Sequence, residues 1–272
     1  MFKTRCISGA VLALIALVTL VLGGPVLLIT LFLISFIGYY ELLKACHVHT
    51  EKKVNGLEIT GYLSIAALYL TVAFRGLDMF SALWMVLSFM AFLLVYVFTF
   101  PKFQSTQVMA AFFSLIYAPF MFSFIYHIRC GKYGVYLVWM VFVSSWISDT
   151  CAYLVGRLIG KHKLAPVLSP KKSIEGSIGG ILGSALAGAV FGVIFAEQVQ
   201  TEIHLALICA VLGAVGSMIS QLGDLAASAI KRQNDIKDYG TLIPGHGGIM
   251  DRFDSVIVTA PLIYFMIYFL LK

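Results

Sequence analysis

Apolar residues run along this chain in long blocks, not at the one-face spacing of a soluble helix. A helix needs about 20 apolar residues to cross a bilayer. By that ruler the pattern predicts about nine crossings, near 9–23, 25–43, 59–74, 80–100, 108–126, 135–155, 178–195, 204–225 and 256–271. The first two are short and tightly joined, which also suits a hairpin that does not fully cross. The expected fold class is an all-α polytopic membrane protein. No soluble domain and no internal repeat is evident. Polar positions gather in a few segments, above all 156–176 and 228–254.

Composition supports lipid as the main solvent. Of 272 residues 60% are hydrophobic and 12% charged, and the mean hydropathy is +0.95. A soluble domain carries about 25% charged residues. The first apolar block follows Lys3 and Arg5, as in a signal peptide. No small-x-small cleavage site follows it, and the next block begins at Pro25. The block is therefore expected to stay as a membrane segment. The five cysteines (Cys6, Cys46, Cys130, Cys151, Cys209) have no metal-ligand spacing and read as small apolar fillers.

Basic residues orient the chain. With nine crossings and a cytoplasmic N-terminus, 15 of the 19 lysines and arginines fall on the inside. The four outside are Arg75, Arg129, Lys132 and Lys272. The positive-inside rule favours this orientation. It places segments 156–176 and 228–254 together on the cytoplasmic side. The N-terminal half reads as packing and lipid-facing sequence. Tyr39, Tyr40, Phe98 and Phe100 read as interface anchors. His47, His49, His127, His162 and His204 have no evident partner in the sequence.

The second polar segment holds the densest chemistry. Asp224 sits near the end of an apolar block, where an unpaired carboxylate is costly. Asp251 and Asp254 sit at the mouth of the last block. Lys231, Arg232 and Lys237 lie between. Gly245, Gly247 and Gly248 surround His246 and allow close backbone approach to a ligand. Mixed carboxylates, cations and glycines suit a polyphosphate carrying a divalent cation. Carboxylates and phosphate oxygens hold Mg²⁺, Lys and Arg neutralise phosphate, and glycine N–H groups cradle anions. A structural ion pair would explain one Asp and one Arg, but not the whole set. Asp235 reads as solvated loop charge. The first polar segment adds Asp149, then Arg157 and Lys161, then Ser169-Pro170-Lys171-Lys172-Ser173 with Glu175-Gly176. Two ammonium groups and hydroxyls beside a helix start offer a grip for a triphosphate. Ordinary inside charge is the plain alternative, particularly for Lys161 and Lys163.

The stretch Ser228-x-x-Lys231-Arg232, Lys237-Asp238-x-Gly240, Ile243-Pro244-x-His246-Gly247-Gly248-Ile249-x-Asp251-Arg252-Phe253-Asp254 resembles the signature of the phosphatidate cytidylyltransferases (CDP-diacylglycerol synthases), bacterial type. Ser169-Pro170-Lys171-Lys172-Ser173-x-Glu175-Gly176 and Gln221-x-Gly223-Asp224 resemble further motifs of that family. The resemblance implies CTP plus phosphatidic acid giving CDP-diacylglycerol and pyrophosphate, with Mg²⁺ as cofactor, at the cell inner membrane. Membrane lipid is then a partner and nucleic acid is not. It implies Asp224 and Asp251 as metal ligands, with Asp254 or Asp149 assisting. Lys231, Arg232 and Arg252 join Asp224 and Asp251 as catalytic candidates. Lys171, Lys172, Ser173, Ser228, Lys237, His246, Gly247 and Gly248 are the substrate-binding candidates. Residues 1–130 would then be packing helices, and 131–272 the catalytic helices and loops. A phosphomonoester acceptor has a second pKa of about 6 and is already an anion at neutral pH. Catalysis should then be positioning and charge neutralisation. Another CTP-dependent lipid or polyprenol enzyme is the neighbouring reading, and an ion-coupled transporter the reading from another class.

One more pattern concerns packing. Gly176, Gly180, Ser184, Gly188 and Gly192 recur every four positions and so share one helix face. That face predicts a tight seam within the chain, or alternatively a homodimer interface.

Overall fold

The computed structural model describes residues 2–49, 53–74, 79–245 and 247–271, with side chains from Ser8 onward. Among the described residues nine helices follow one another: α1 (Phe2–Leu22), α2 (Gly24–Ala45), α3 (Gly56–Phe74), α4 (Met79–Phe98), α5 (Ser105–Cys130), α6 (Gly134–Ile159), α7 (Ile174–Ile194), α8 (Leu205–Gln233) and α9 (Met250–Leu270). Between α6 and α7 lies an antiparallel hairpin of β1 (Lys163–Ala165) and β2 (Ser169–Ser173). Of these, eight described helices, α2 to α9, are long and apolar enough to cross a bilayer, and α1 adds a shorter apolar stretch, Ser8–Leu22. The chain is an all-α polytopic membrane protein. Leucines that stand half or more exposed, such as Leu63, Leu94, Leu182 and Leu186, form its lipid-facing surface.

Two compact units make up the fold. The first comprises the chain up to His127 and Asn234–Arg252; the second comprises Ile128–Gln233 and the chain from Phe253 on. In the first, α3 packs against α2 and α4 through polar as well as apolar contacts. Ser35 Oγ and Tyr69 OH lie 2.6 Å apart, and Trp84 Nε1 donates to the Ser64 carbonyl at 2.8 Å. Tyr39 is fully buried, and its hydroxyl presses on Gly61 of α3. It is a core residue, not an interface anchor, because Gly61 leaves room for the ring inside the helix pair. Tyr40, Phe98 and Phe100 are exposed, as anchors require.

In the second unit α7 is the central helix. Its small-residue face, Gly176, Gly180, Ser184, Gly188 and Gly192, is buried. A β-carbon at Gly176 would come 2.6 Å from the Ala152 carbonyl oxygen of α6. One at Gly192 would come 2.5 Å from Ala206 Cα of α8. The stripe is thus used inside the chain, letting α6 and α8 approach α7 backbone to backbone. The opposite face of α7, with Ile178, Leu182, Leu186 and Val190, is exposed. A π-helical turn at Val143–Ile147 interrupts α6 just before Ser148 and Asp149. Such an inserted residue re-aims the side chains that follow it.

Candidate active site

The polar chemistry of the second unit gathers at one end of α6, α7 and α8. α8 has 29 residues and runs through Ser228, Lys231 and Arg232 before it stops at Gln233. Sequence hydropathy ends this crossing near Leu225; the helix continues for two further turns. Asp224 therefore sits inside a helix, not at its end. Lys172 of β2 reaches it, with Nζ 2.5 Å from Asp224 Oδ2. Asp254, 8% exposed in the first turns of α9, lies within electrostatic reach of Asp224 and Lys231. Its Oδ1 accepts from Ser255 N at 2.8 Å.

Lys172 also lines a cleft of about 260 Å³ with Asp149, Arg157, Lys171, Ser173 and Gln221. The hairpin that presents these lysines is fastened at its base. Glu175 accepts from Lys161 N at 3.1 Å, from His162 N at 3.2 Å, and pairs with His162 Nδ1 at 2.6 Å. His162 therefore has a partner after all, 13 positions away. Ser173 Oγ caps α7 by accepting from Gly176 N at 3.1 Å. The floor of the cleft is a hydroxyl and amide network. Ser177 Oγ donates to Gln221 Oε1 at 2.5 Å, Gln221 Nε2 donates to Ser217 Oγ at 3.3 Å, and Ser217 meets Ser148 at 2.7 Å. Gln221 stands in a motif of the sequence, but nothing there revealed its three serine partners.

The first unit holds the rest of the motif, 234–252. Asp235, with φ 53°, turns the chain out of α8. The Ile243 N–H donates to the Gly247 carbonyl at 2.9 Å and closes a small loop. Gly245 and Gly247 have φ 78° and 83°, a backbone conformation that favours glycine. Asp251 organises this loop: its Oδ2 accepts from Tyr239 N at 2.8 Å and from Gly248 N at 2.9 Å. Lys237, Asp238, Gly247 and the exposed Arg252 line a cleft of about 510 Å³. His246 lies outside the described residues.

One residue of this loop's surroundings went unassigned in the sequence. Glu41 of α2, 4% exposed, accepts from Ile249 N at 3.0 Å and Met250 N at 2.9 Å. Its signal was present: a carboxylate inside an apolar block. His49 likewise has a partner, Glu58 of α3, at 3.0 Å.

The described residues hold no cluster of three or more His, Cys, Asp or Glu suited to a metal. Asp224 and Asp254 form a two-carboxylate set flanked by Lys172 and Lys231. That set fits Mg²⁺, a hard cation that takes one or two carboxylates and completes its shell with water and phosphate oxygens.

The sequence profile of the cytidylyltransferase family matches residues 3–270. The chain is 32% identical over 270 residues to a phosphatidate cytidylyltransferase of Staphylococcus saprophyticus, covering 96% of this chain and 97% of the relative. It is 34% identical over 264 residues to one of Staphylococcus epidermidis, with 96% and 97% coverage, and 32% identical over 272 residues to one of Bacillus subtilis, with 97% of each covered. With a match over nearly its whole length, the chain belongs to the cytidylyltransferase family.

Proposed function

We propose that this protein joins CTP to phosphatidic acid, giving CDP-diacylglycerol and pyrophosphate, at the cytoplasmic face of a bacterial inner membrane. The observation that carries the reading is the Lys172–Asp224 pair beside the buried Asp254. A Mg²⁺–polyphosphate presents both signs of charge. It fits a site that offers carboxylates for the cation and ammonium groups for the phosphates.

Asp224 and Asp254 would hold Mg²⁺, which when bound neutralises phosphate charge and orients the oxygens. Lys171 and Lys172 grip the nucleotide's phosphates from the hairpin. Lys231 and Arg232 add positive charge from the end of α8. In the first unit, Lys237 and Arg252 line the cleft of the loop that Asp251 organises and add positive charge there. A lipid phosphate oxygen forms the new bond to the α-phosphorus of CTP. The bond from that phosphorus to the bridging oxygen breaks, and pyrophosphate leaves. The acceptor is already an anion at neutral pH, so no general base is required. The work of the protein is positioning and charge neutralisation.

The test is pyrophosphate release by the purified protein in detergent. Release is expected only with CTP, phosphatidic acid and Mg²⁺ together, and EDTA should abolish it while the helical circular-dichroism signal persists. A protein that binds CTP but needs a different lipid shifts the acceptor assignment. One that binds no CTP, yet moves solute across sealed vesicles, overturns the enzyme reading.

A further inference from the structure

Glu41 belongs to a span that otherwise offers only packing, yet its carboxylate is shared out over the loop 240–248 and the start of α9. The two N–H groups it accepts, Ile249 and Met250, lie at the helix N-terminus, where donors lack partners within the helix. A carboxylate there is also favoured by the helix dipole. Gly240 and Gly248 pack directly on the same carboxylate: a β-carbon at either would overlap Glu41 Oε1. The loop is therefore held at its beginning, at its end and at the helix it feeds. Asp251 completes the clamp by accepting from Tyr239 N and Gly248 N. Gly248 thus lies against two carboxylates, one from α2 and one from α9.

A carboxylate in a membrane segment is costly, and a cap alone does not require it, since Ser or Asn in the loop would serve. What Glu41 adds is the fixed placement of the backbone around Asp251 and Arg252. We propose that Glu41 is a positioning residue for nucleotidyl transfer, setting the glycine loop and the first turn of α9 against the nucleotide. The inference rests on the cytidylyltransferase reading given above.

Two variants address it separately. Glu41→Gln keeps the shape but replaces one acceptor oxygen with a donor. Gly240→Ala leaves α2 untouched and pushes the carboxylate aside, and Gly240 has no positive φ to make alanine strained. Each should lower kcat/KM for CTP by about ten- to a hundredfold per folded molecule, the scale of a misplaced reacting group. The KM for phosphatidic acid should change little, while the thermal midpoint falls in either case because a buried group loses a hydrogen-bond partner. Shortening the acid in the double variant Glu41→Asp with Gly240→Ala should restore part of the loss. A merely structural Glu41 predicts the lowered midpoint with unchanged constants per folded molecule. That result in Glu41→Gln, or wild-type turnover in Gly240→Ala, overturns the inference. If instead the parent protein releases no pyrophosphate from CTP and phosphatidic acid, the underlying reading fails, and with it this one.

Discussion

Lys172 on the hairpin and Asp224 on α8 are 52 positions apart in sequence and meet at 2.5 Å. Their side chains are 23% and 29% exposed, so the pair is partly wet. It contributes about 1 kcal/mol or less to stability. On the proposed reading its value lies in holding a cation donor beside a carboxylate. Lys172→Ala should therefore lower kcat/KM for CTP by about a hundredfold, comparable to removing one charge-stabilising donor from an active site. Its thermal midpoint should stay within a few degrees of the parent. Steady-state kinetics and a melting curve on the same preparation check both parts.

Asp254→Asn separates function from stability in sign. Asp254 is buried beside another carboxylate, so neutralising it relieves like-charge repulsion and desolvation cost. The variant should melt at the same temperature or higher. Its turnover should fall by at least about tenfold and need more Mg²⁺. A Mg²⁺ titration of the rate, run beside a melt, reads the two effects. Normal Mg²⁺ dependence would remove Asp254 from the metal set.

Glu175 governs where the hairpin lysines stand. Glu175→Ala frees the base of the hairpin, and the KM for CTP should rise about tenfold with a smaller change in kcat. His162→Ala should do less, because the two backbone N–H donors to Glu175 remain. Comparing the two KM values checks the ordering.

The seam on α7 tolerates nothing larger than its small residues. A β-carbon at Gly188 would strike the Cys209 carbonyl oxygen. Gly188→Leu should cost about 3 kcal/mol or more and leave little folded protein in detergent extracts. Leu182→Ala, on the exposed face of the same helix, should extract like the parent. Gel filtration of the two extracts distinguishes a face-specific effect from general damage to the helix.

How much of this was legible in the sequence depended on how local each signal is. Long apolar blocks gave the helices, because lipid selects for continuous hydrophobicity. The end of α8 was misplaced because hydropathy marks where lipid stops, and Ser228-Ala-Ile-Lys-Arg-Gln can remain helical in water. The hairpin was hidden by its short strands and its Ser-Pro-Lys-Lys composition, which reads as a charged loop. Asp224, Asp254 and the two hairpin lysines could be suspected one by one, but their pairing is tertiary. Glu41 was passed over because its partners lie 208 and 209 positions away. Tyr39 looked like an anchor because nothing local reveals that Gly61 makes room for it.

The length of α8 acts as a depth gauge. At 1.5 Å per residue its 29 residues extend for about 43 Å, some 13 Å beyond the hydrocarbon layer of a typical bilayer. The apolar part, ending near Leu225, fills that layer by itself, and Asp224 falls at its edge. That is the level at which the phosphate of a phospholipid rests while its acyl chains stay dissolved below. If Asp224 belongs to the site as proposed, an acceptor lipid need not be drawn out of the membrane to reach it. On the proposed reading the soluble nucleotide makes the whole journey, toward the surplus turns of the helix that carry Lys231 and Arg232.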